Sequence, residues 1–129
     1  MFNPITIPFG SKMLFNALKL KPGVTAKDIE LALGEMCNVV KETYGNELGG
    51  FIAGQVFSYA GFISQEGSVN SLEKPDYDVA IVTYWASFEQ HEKSHSDKTF
   101  KDKFSAVTEN CSDSFELGFD MLWQGVPED

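Results

Sequence analysis

The chain has 129 residues and a formal net charge of −9, from 19 acidic and 10 basic side chains. That balance speaks against nucleic acid and against an anionic membrane surface as partners, since both select clustered Lys and Arg. The 43% hydrophobic and 13% aromatic content predicts one packed domain over residues 1–129 rather than a disordered chain. No apolar run approaches the roughly 20 residues of a membrane helix. The start, Met1 to Thr6, lacks the basic n-region of a secretory leader. The two cysteines, Cys37 and Cys111, fall in helix-like stretches and read as free thiols, so a cytoplasmic location is expected.

Residues 1–10, with Pro4, Pro8 and Gly10, read as an irregular arm. Residues 12–20 alternate as a strand, with Leu14, Asn16, Leu18 and Leu20 on one face and Met13, Phe15 and Ala17 on the other. Pro22-Gly23 ends it, and Thr25-Ala26-Lys27-Asp28 forms a capping box with Asp in the fourth place. Ile29, Leu33, Met36 and Val40 then recur at helical spacing toward Tyr44, predicting a helix of about 19 residues that stops at Gly45-Asn46. Residues 50–59 alternate again, with Phe51, Ala53, Gln55, Phe57 and Tyr59 on one side and Ile52, Val56 and Ala60 on the other.

Residues 61–77 read as a long polar loop, with a short extra strand at Phe62-Ile63. Val79 to Trp85 is β-branched and aromatic throughout and gives the strongest strand signal. Ser87-Phe88-Glu89-Gln90 is a second capping box and starts a helix at Phe88. Its apolar stripe shifts near Ser96-Asp97, which predicts a break, and Phe100, Phe104, Val107 and Cys111 continue beyond it. A last strand is expected over residues 115–124, with Phe115, Leu117, Phe119, Met121 and Trp123 on one face.

This β-α-β-β-α-β order is the ferredoxin-like arrangement: an α+β fold with an antiparallel sheet and two helices on one face. The strands are apolar on both faces, and a bare apolar sheet of several hundred Å² would not stay in water. The pattern therefore predicts a homodimer in which two subunits stack their sheets face to face.

The chain resembles the dimeric α/β barrel superfamily, and within it the antibiotic-biosynthesis-monooxygenase-like proteins, over about residues 12–125. Three segments carry the resemblance. They are Tyr84-Trp85-Ala86-Ser87 with the helix behind it, Asn16 to Asp28, and Gly49-Gly50-Phe51. The resemblance implies a barrel-forming homodimer. It also implies cofactor-independent monooxygenation of aromatic molecules as one family activity. In the heme-degrading branch the essential strand-one asparagine corresponds to Asn16. The essential helix tryptophan falls on Ser94 and the heme-ligating histidine on Phe104, so that route is disfavoured. The quinone-forming branch uses Asn, Trp and Tyr around its pocket, types found here at Asn16, Trp85 and Tyr84.

His91-Glu92-Lys93-Ser94-His95 spells H-E-x-x-H, which on a helix puts two imidazoles on one face with a glutamate beside them. A zinc protease is disfavoured, because Lys93 puts a charge inside the motif and no third histidine follows. Glu109 and Glu116 remain as third ligands only by default. His91 and His95 share the side of Phe88 and should point toward the sheet. Asn16 is an amide on an apolar strand face and must find a polar partner there, in the protein or in a ligand.

The resulting expectation is a pocket between sheet and helices for a small hydrophobic molecule, aromatic or fatty-acid-like. Asn16, His91 and His95 are its candidate catalytic groups. Leu14, Leu18, Phe57, Tyr59, Tyr84, Trp85, Phe88 and Trp123 are its candidate walls. No cofactor and no metal are assigned. A non-catalytic ligand-binding or stress-response protein is the alternative, and metal binding through His91 and His95 a minor one.

Overall fold

The computed structural model describes residues 2–61, 66–67 and 77–128. In chain order it has β1 (Lys12–Leu20), a 3-10 turn (Ala26–Ile29) leading into α1 (Glu30–Tyr44), β2 (Phe51–Ser58) and β3 (Val79–Trp85). There follow α2 (Phe88–Ser94), α3 (Lys98–Thr108) and β4 (Cys111–Asp120). All pairings are antiparallel and the strand order is β2-β3-β1-β4. This is the ferredoxin-like topology that the element order implies. No helix of the described residues is long and apolar enough to cross a membrane. The expected strand at Phe62-Ile63 and most of the 61–77 loop lie outside the described residues.

The alternation in β1 sorts the molecule into a core face and an open face. On the core face, Leu18, Leu20, Val79 and Ile81 pack with Ile29, Leu33 and Met36 of the first helical segment and Val107 of α3. A second cluster joins Leu14, Val40 and Trp85, with Phe51, Phe88 and Phe100 against it. On the open face, Met13, Phe15 and Ala17 of β1 stand between Tyr84, Val82 and Ala80 of β3 and Phe119, Leu117 and Phe115 of β4. Phe57, Leu117 and Phe119 stay 49%, 46% and 45% exposed there.

The predicted break of the second helix falls at residues 95–97 for a capping reason. Asp97 is the N-cap of α3, and its Oδ1 accepts a hydrogen bond from the Phe100 N–H at 3.1 Å. Its Oδ2 accepts from the Tyr44 hydroxyl at 2.6 Å, tying the break to the end of α1.

Four local expectations are corrected. The first helix is shorter than 19 residues, because the Thr25 capping box starts a 3-10 turn and the α-helix proper begins at Glu30. Cys111 opens β4 opposite Leu20 instead of ending a helix; its helical spacing from Val107 ran past a helix that closes at Thr108. The last strand is accordingly Cys111–Asp120 rather than 115–124. Phe51 does not share the face of Phe57. A register shift between Phe51 and Ala53 turns its ring inward, 5.4 Å from the Trp85 ring between centroids.

Candidate functional site

The site is set by how α2 is anchored. The Ser87 hydroxyl caps the helix by accepting from the Gln90 N–H at 3.2 Å. The Gln90 amide reaches the other way and donates to the carbonyls of Glu47 and Leu48 at 3.0 and 3.2 Å. Gly50 makes this possible: its φ is +76°, and the Gln90 side chain occupies the space where a Cβ would stand. On the opposite side Phe88 packs over Gly118 of β4, where an added Cβ would lie 3.0 Å from the ring. One turn along α2 from Phe88, His91 therefore comes to stand above Glu116, two residues before Gly118 in the strand.

His91 is 4% exposed. Its ring meets the edge of Trp85 at 5.2 Å and that of His95 at 4.4 Å, centroid to centroid. His91 Nε2 lies 3.0 Å from His95 Nε2 and 3.3 Å from Glu116 Oε2, while His95 Nε2 lies 3.6 Å from Glu116 Oε1. Asn16 faces Glu116 across the β1–β4 ladder and hydrogen-bonds its carboxylate. The partly buried amide thus has its partner inside the protein. His95 is the outward member, its side chain 39% exposed, and its ring stacks on Phe100, which in turn stacks on Phe104.

The electrostatics follow from convergence. Burial would raise the Glu116 carboxyl. The His91 hydrogen bond, the pull of both imidazoles and the Asn16 amide together outweigh it and hold the group below its ordinary range. Two Nε2–H groups cannot point at each other across 3.0 Å, so only one proton fits between the two imidazoles. Three electron-rich atoms thus share a space with room for a single positive centre. His91 Nδ1, on the far side of the ring, is buried with no hydrogen bond, and Glu92 Oε1 lies 3.5 Å from it.

The sequence-predicted residues divide among several environments. Asn16, His91 and His95 come together, joined by Glu116. Trp85 borders this cluster through the His91 ring, and Phe88 stands one turn before His91 on α2. Leu14 and Leu18 lie on the same sheet face but are sealed in the core at 4% and 0% exposure. Phe57 and Tyr84 lie on the open face, Tyr59 follows the end of β2, and Trp123 stands 81% exposed beyond β4. The eight expected wall residues therefore do not surround one space within a single subunit.

Two hollows occur elsewhere among the described residues. One of about 520 Å³ lies on the outside of α1 around Leu31 and Glu35. One of about 400 Å³ lies between β2 and the first helical segment, around Leu33, Val56 and Phe57. Neither includes His91, His95 or Glu116.

Phe100 and Phe104 are site residues that sequence reasoning passed over, and Glu116 entered there only by default, as a third metal ligand. A signal for Glu116 was present. Phe115, Leu117 and Phe119 alternate on the open face, which leaves Glu116 as a charged residue pointing under the helices. Such a residue needs a partner in its folded surroundings.

The sequence matches no protein-family model and no curated protein. The fold does match solved structures. A dimeric ferredoxin-like protein of unknown function from Thermobifida fusca has 8% identity and a TM-score of 0.57, over 94% of this chain and 100% of that one. SnoaB, a cofactor-independent oxygenase from Streptomyces nogalater, has 12% identity and a TM-score of 0.61, over 92% and 99%. A hydroxynitrile lyase from Passiflora edulis has 8% identity and a TM-score of 0.61, over 92% and 100%. The chain thus shares the ferredoxin-like fold of proteins that include dimers and a cofactor-independent oxygenase. An oxygenase and a lyase on one fold mean that the site, not the fold, must carry the functional argument.

Proposed function

We propose that this protein is a homodimeric barrel that binds a small, mostly apolar molecule beside His95 and acts on it by proton transfer. Cofactor-independent oxygenation of an aromatic substrate is the reaction class. The observation that carries the reading is the graded cluster of Glu116, His91 and His95, running from a partly buried carboxylate through a buried imidazole to a half-exposed one. His95 is the member within reach of a ligand, and Phe100, Phe104 and Phe88 supply an aromatic border. Glu116 holds the imidazoles and Asn16 holds Glu116, so Asn16 is a positioning residue rather than a substrate ligand.

In such a reaction His95 removes a proton from an acidic methylene between aromatic rings. The resulting carbanion reduces dioxygen. One oxygen atom ends as the product carbonyl and the other leaves as water. The oxidant is dioxygen itself, in keeping with the activity of SnoaB on the same fold.

The open sheet face belongs to the same reading. Its exposed Phe57, Leu117 and Phe119 fit a second copy of the face, consistent with the dimeric protein from Thermobifida fusca.

The test is oxygen uptake with a tricyclic aromatic ketone bearing an acidic methylene. Wild type should consume oxygen, and His95→Ala should lower the rate at least about 100-fold, the usual worth of a positioned general base. Binding of the ketone without uptake would assign carriage instead of catalysis. Neither binding nor uptake with a series of such ketones would overturn the reading.

A further inference from the structure

We infer that His91, His95 and Glu116 form a binding site for one divalent transition-metal ion of the zinc class, leaving a coordination position open on the His95 side. This rests on reading the cluster as the functional site, but not on the reaction assigned to it: an ion on His95 Nε2 occupies the lone pair that the proton transfer needs, so the oxygenation proposed above belongs to the metal-free protein.

The first argument is distance. Metal bonds of about 2.0–2.2 Å to imidazole nitrogen and carboxylate oxygen put neighbouring donors about 3.0–3.5 Å apart around a single ion, whether octahedral or tetrahedral. Here the two imidazole Nε2 atoms are 3.0 Å apart, and each faces its own oxygen of the Glu116 carboxylate, His91 Nε2 at 3.3 Å from Oε2 and His95 Nε2 at 3.6 Å from Oε1. Each residue can offer one donor atom such that all three lie within 4.8 Å of one another. Little rearrangement is needed to seat an ion.

The second argument is how the donors are held. His91 belongs to α2 and His95 is its C-cap residue one turn later, so both rings leave the same face. Glu116 comes from β4, fixed by the ladder to β1. A helix and a strand packed through Phe88 and Gly118 supply a stiffer frame than a loop.

The third argument is the outer ring of polar groups. An imidazole that binds metal through Nε2 carries its proton on Nδ1 and normally donates it to a carboxylate. His91 Nδ1 is the buried side-chain atom left without a hydrogen bond among the described residues, and Glu92 Oε1 is only 3.5 Å away. A modest turn of the exposed Glu92 side chain closes that bond. Glu92 therefore sits behind the ligand, not beside the metal where a zinc protease keeps its general base. Asn16 braces Glu116 in the same manner.

Two imidazoles with one carboxylate favour zinc, iron(II), cobalt(II) or nickel(II) over magnesium or calcium, which seek oxygen donors. Three protein ligands are the count of a catalytic rather than a structural site. The half-exposed His95 provides the route by which an ion and a small ligand enter.

The experiment is calorimetric titration of the chelator-treated full chain with zinc chloride, in excess magnesium to occupy surface carboxylates. Absorption spectra with cobalt(II) run in parallel. Wild type should bind one zinc per subunit, and cobalt should give the visible bands of a four- or five-coordinate ion. His95→Ala and Glu116→Gln should each weaken zinc binding by more than about 100-fold, beyond the usual loss from removing an outer-ring group. Glu92→Gln should weaken it by about 10-fold. Circular dichroism identifies any variant that has not folded; His95, being half-exposed, is the one expected to fold normally.

Absence of stoichiometric zinc binding in wild type overturns the site. So does binding that is unchanged in folded His95→Ala. Oxygen uptake or ketone binding by the chelated protein is measured separately, so loss of the metal site leaves the proposed function standing and the converse holds too.

Discussion

Asn16 and Glu116 stand opposite each other on the β1–β4 ladder, and the amide of one hydrogen-bonds the carboxylate of the other beneath α2. An amide on a leucine-rich strand face is thereby satisfied by the residue that also holds both histidines. Asn16→Leu should cost about 1–2 kcal/mol, because it strips a donor from a partly buried carboxylate. Asn16→Asp should cost more, since it sets a second carboxylate against the first. Urea unfolding midpoints measure both; if Asn16→Leu leaves the midpoint unchanged, the amide is not supporting Glu116.

Tyr44 and Asp97 provide a pH-dependent link between α1 and α3. Burial, then the hydrogen bond to Asp97 and its charge, push the Tyr44 phenol up from 10.0 to about 12. A raised folded-state value means that stability from this group is complete below pH 10 and is lost as pH climbs from 10 toward about 12. Tyrosinate absorbance should show a late-titrating component from Tyr44. Tyr44→Phe should remove that component, and Asp97→Asn should move it to lower pH.

Gly50 holds the anchor of α2. Gly50→Ala meets both an unfavourable φ of +76° and the Gln90 side chain, so it should destabilise by about 2–3 kcal/mol. Gly23 has a similar φ of +85° but open space around it, and Gly23→Ala should cost only about 1 kcal/mol. Thermal unfolding of the two variants side by side isolates the part due to Gln90. Equal losses would mean that Gln90 swings aside freely.

A dimer through the open face predicts that one charge there is enough to split it. Leu117→Glu, on the face opposite Glu116, should give a particle of half the wild-type mass by light scattering while keeping its circular dichroism. Trp123→Glu, beyond the end of β4, should leave the mass unchanged. A wild-type monomer at micromolar concentration would remove the dimer altogether.

Local chemistry determined much of this protein without help from the fold. Strand alternation marks out β1 at Lys12–Leu20, and the β-branched run marks out β3 at Val79–Trp85. Ser87 starts α2, and the stripe shift before Phe100 announces the capped break at Asp97. These signals are readable because hydrogen-bonded caps and side-chain periodicity act over a few residues. The element order then leaves few topologies, and the ferredoxin-like one is realised.

What tertiary structure decided is everything that depends on residues far apart in sequence. Cys111 continues a helical spacing, yet the chain needs it in β4 beside Leu20. Phe51 fits the alternation of β2, yet a register shift draws it inward to Trp85. The H-E-x-x-H string shows two histidines on one helix face, but its third member sits 21 positions beyond His95 on another element. Only the pairing of β4 with β1, and the seating of Phe88 on Gly118, bring Glu116 under His91. A carboxylate's role is fixed by what it faces across a packed interface, and that distance is not written along the chain.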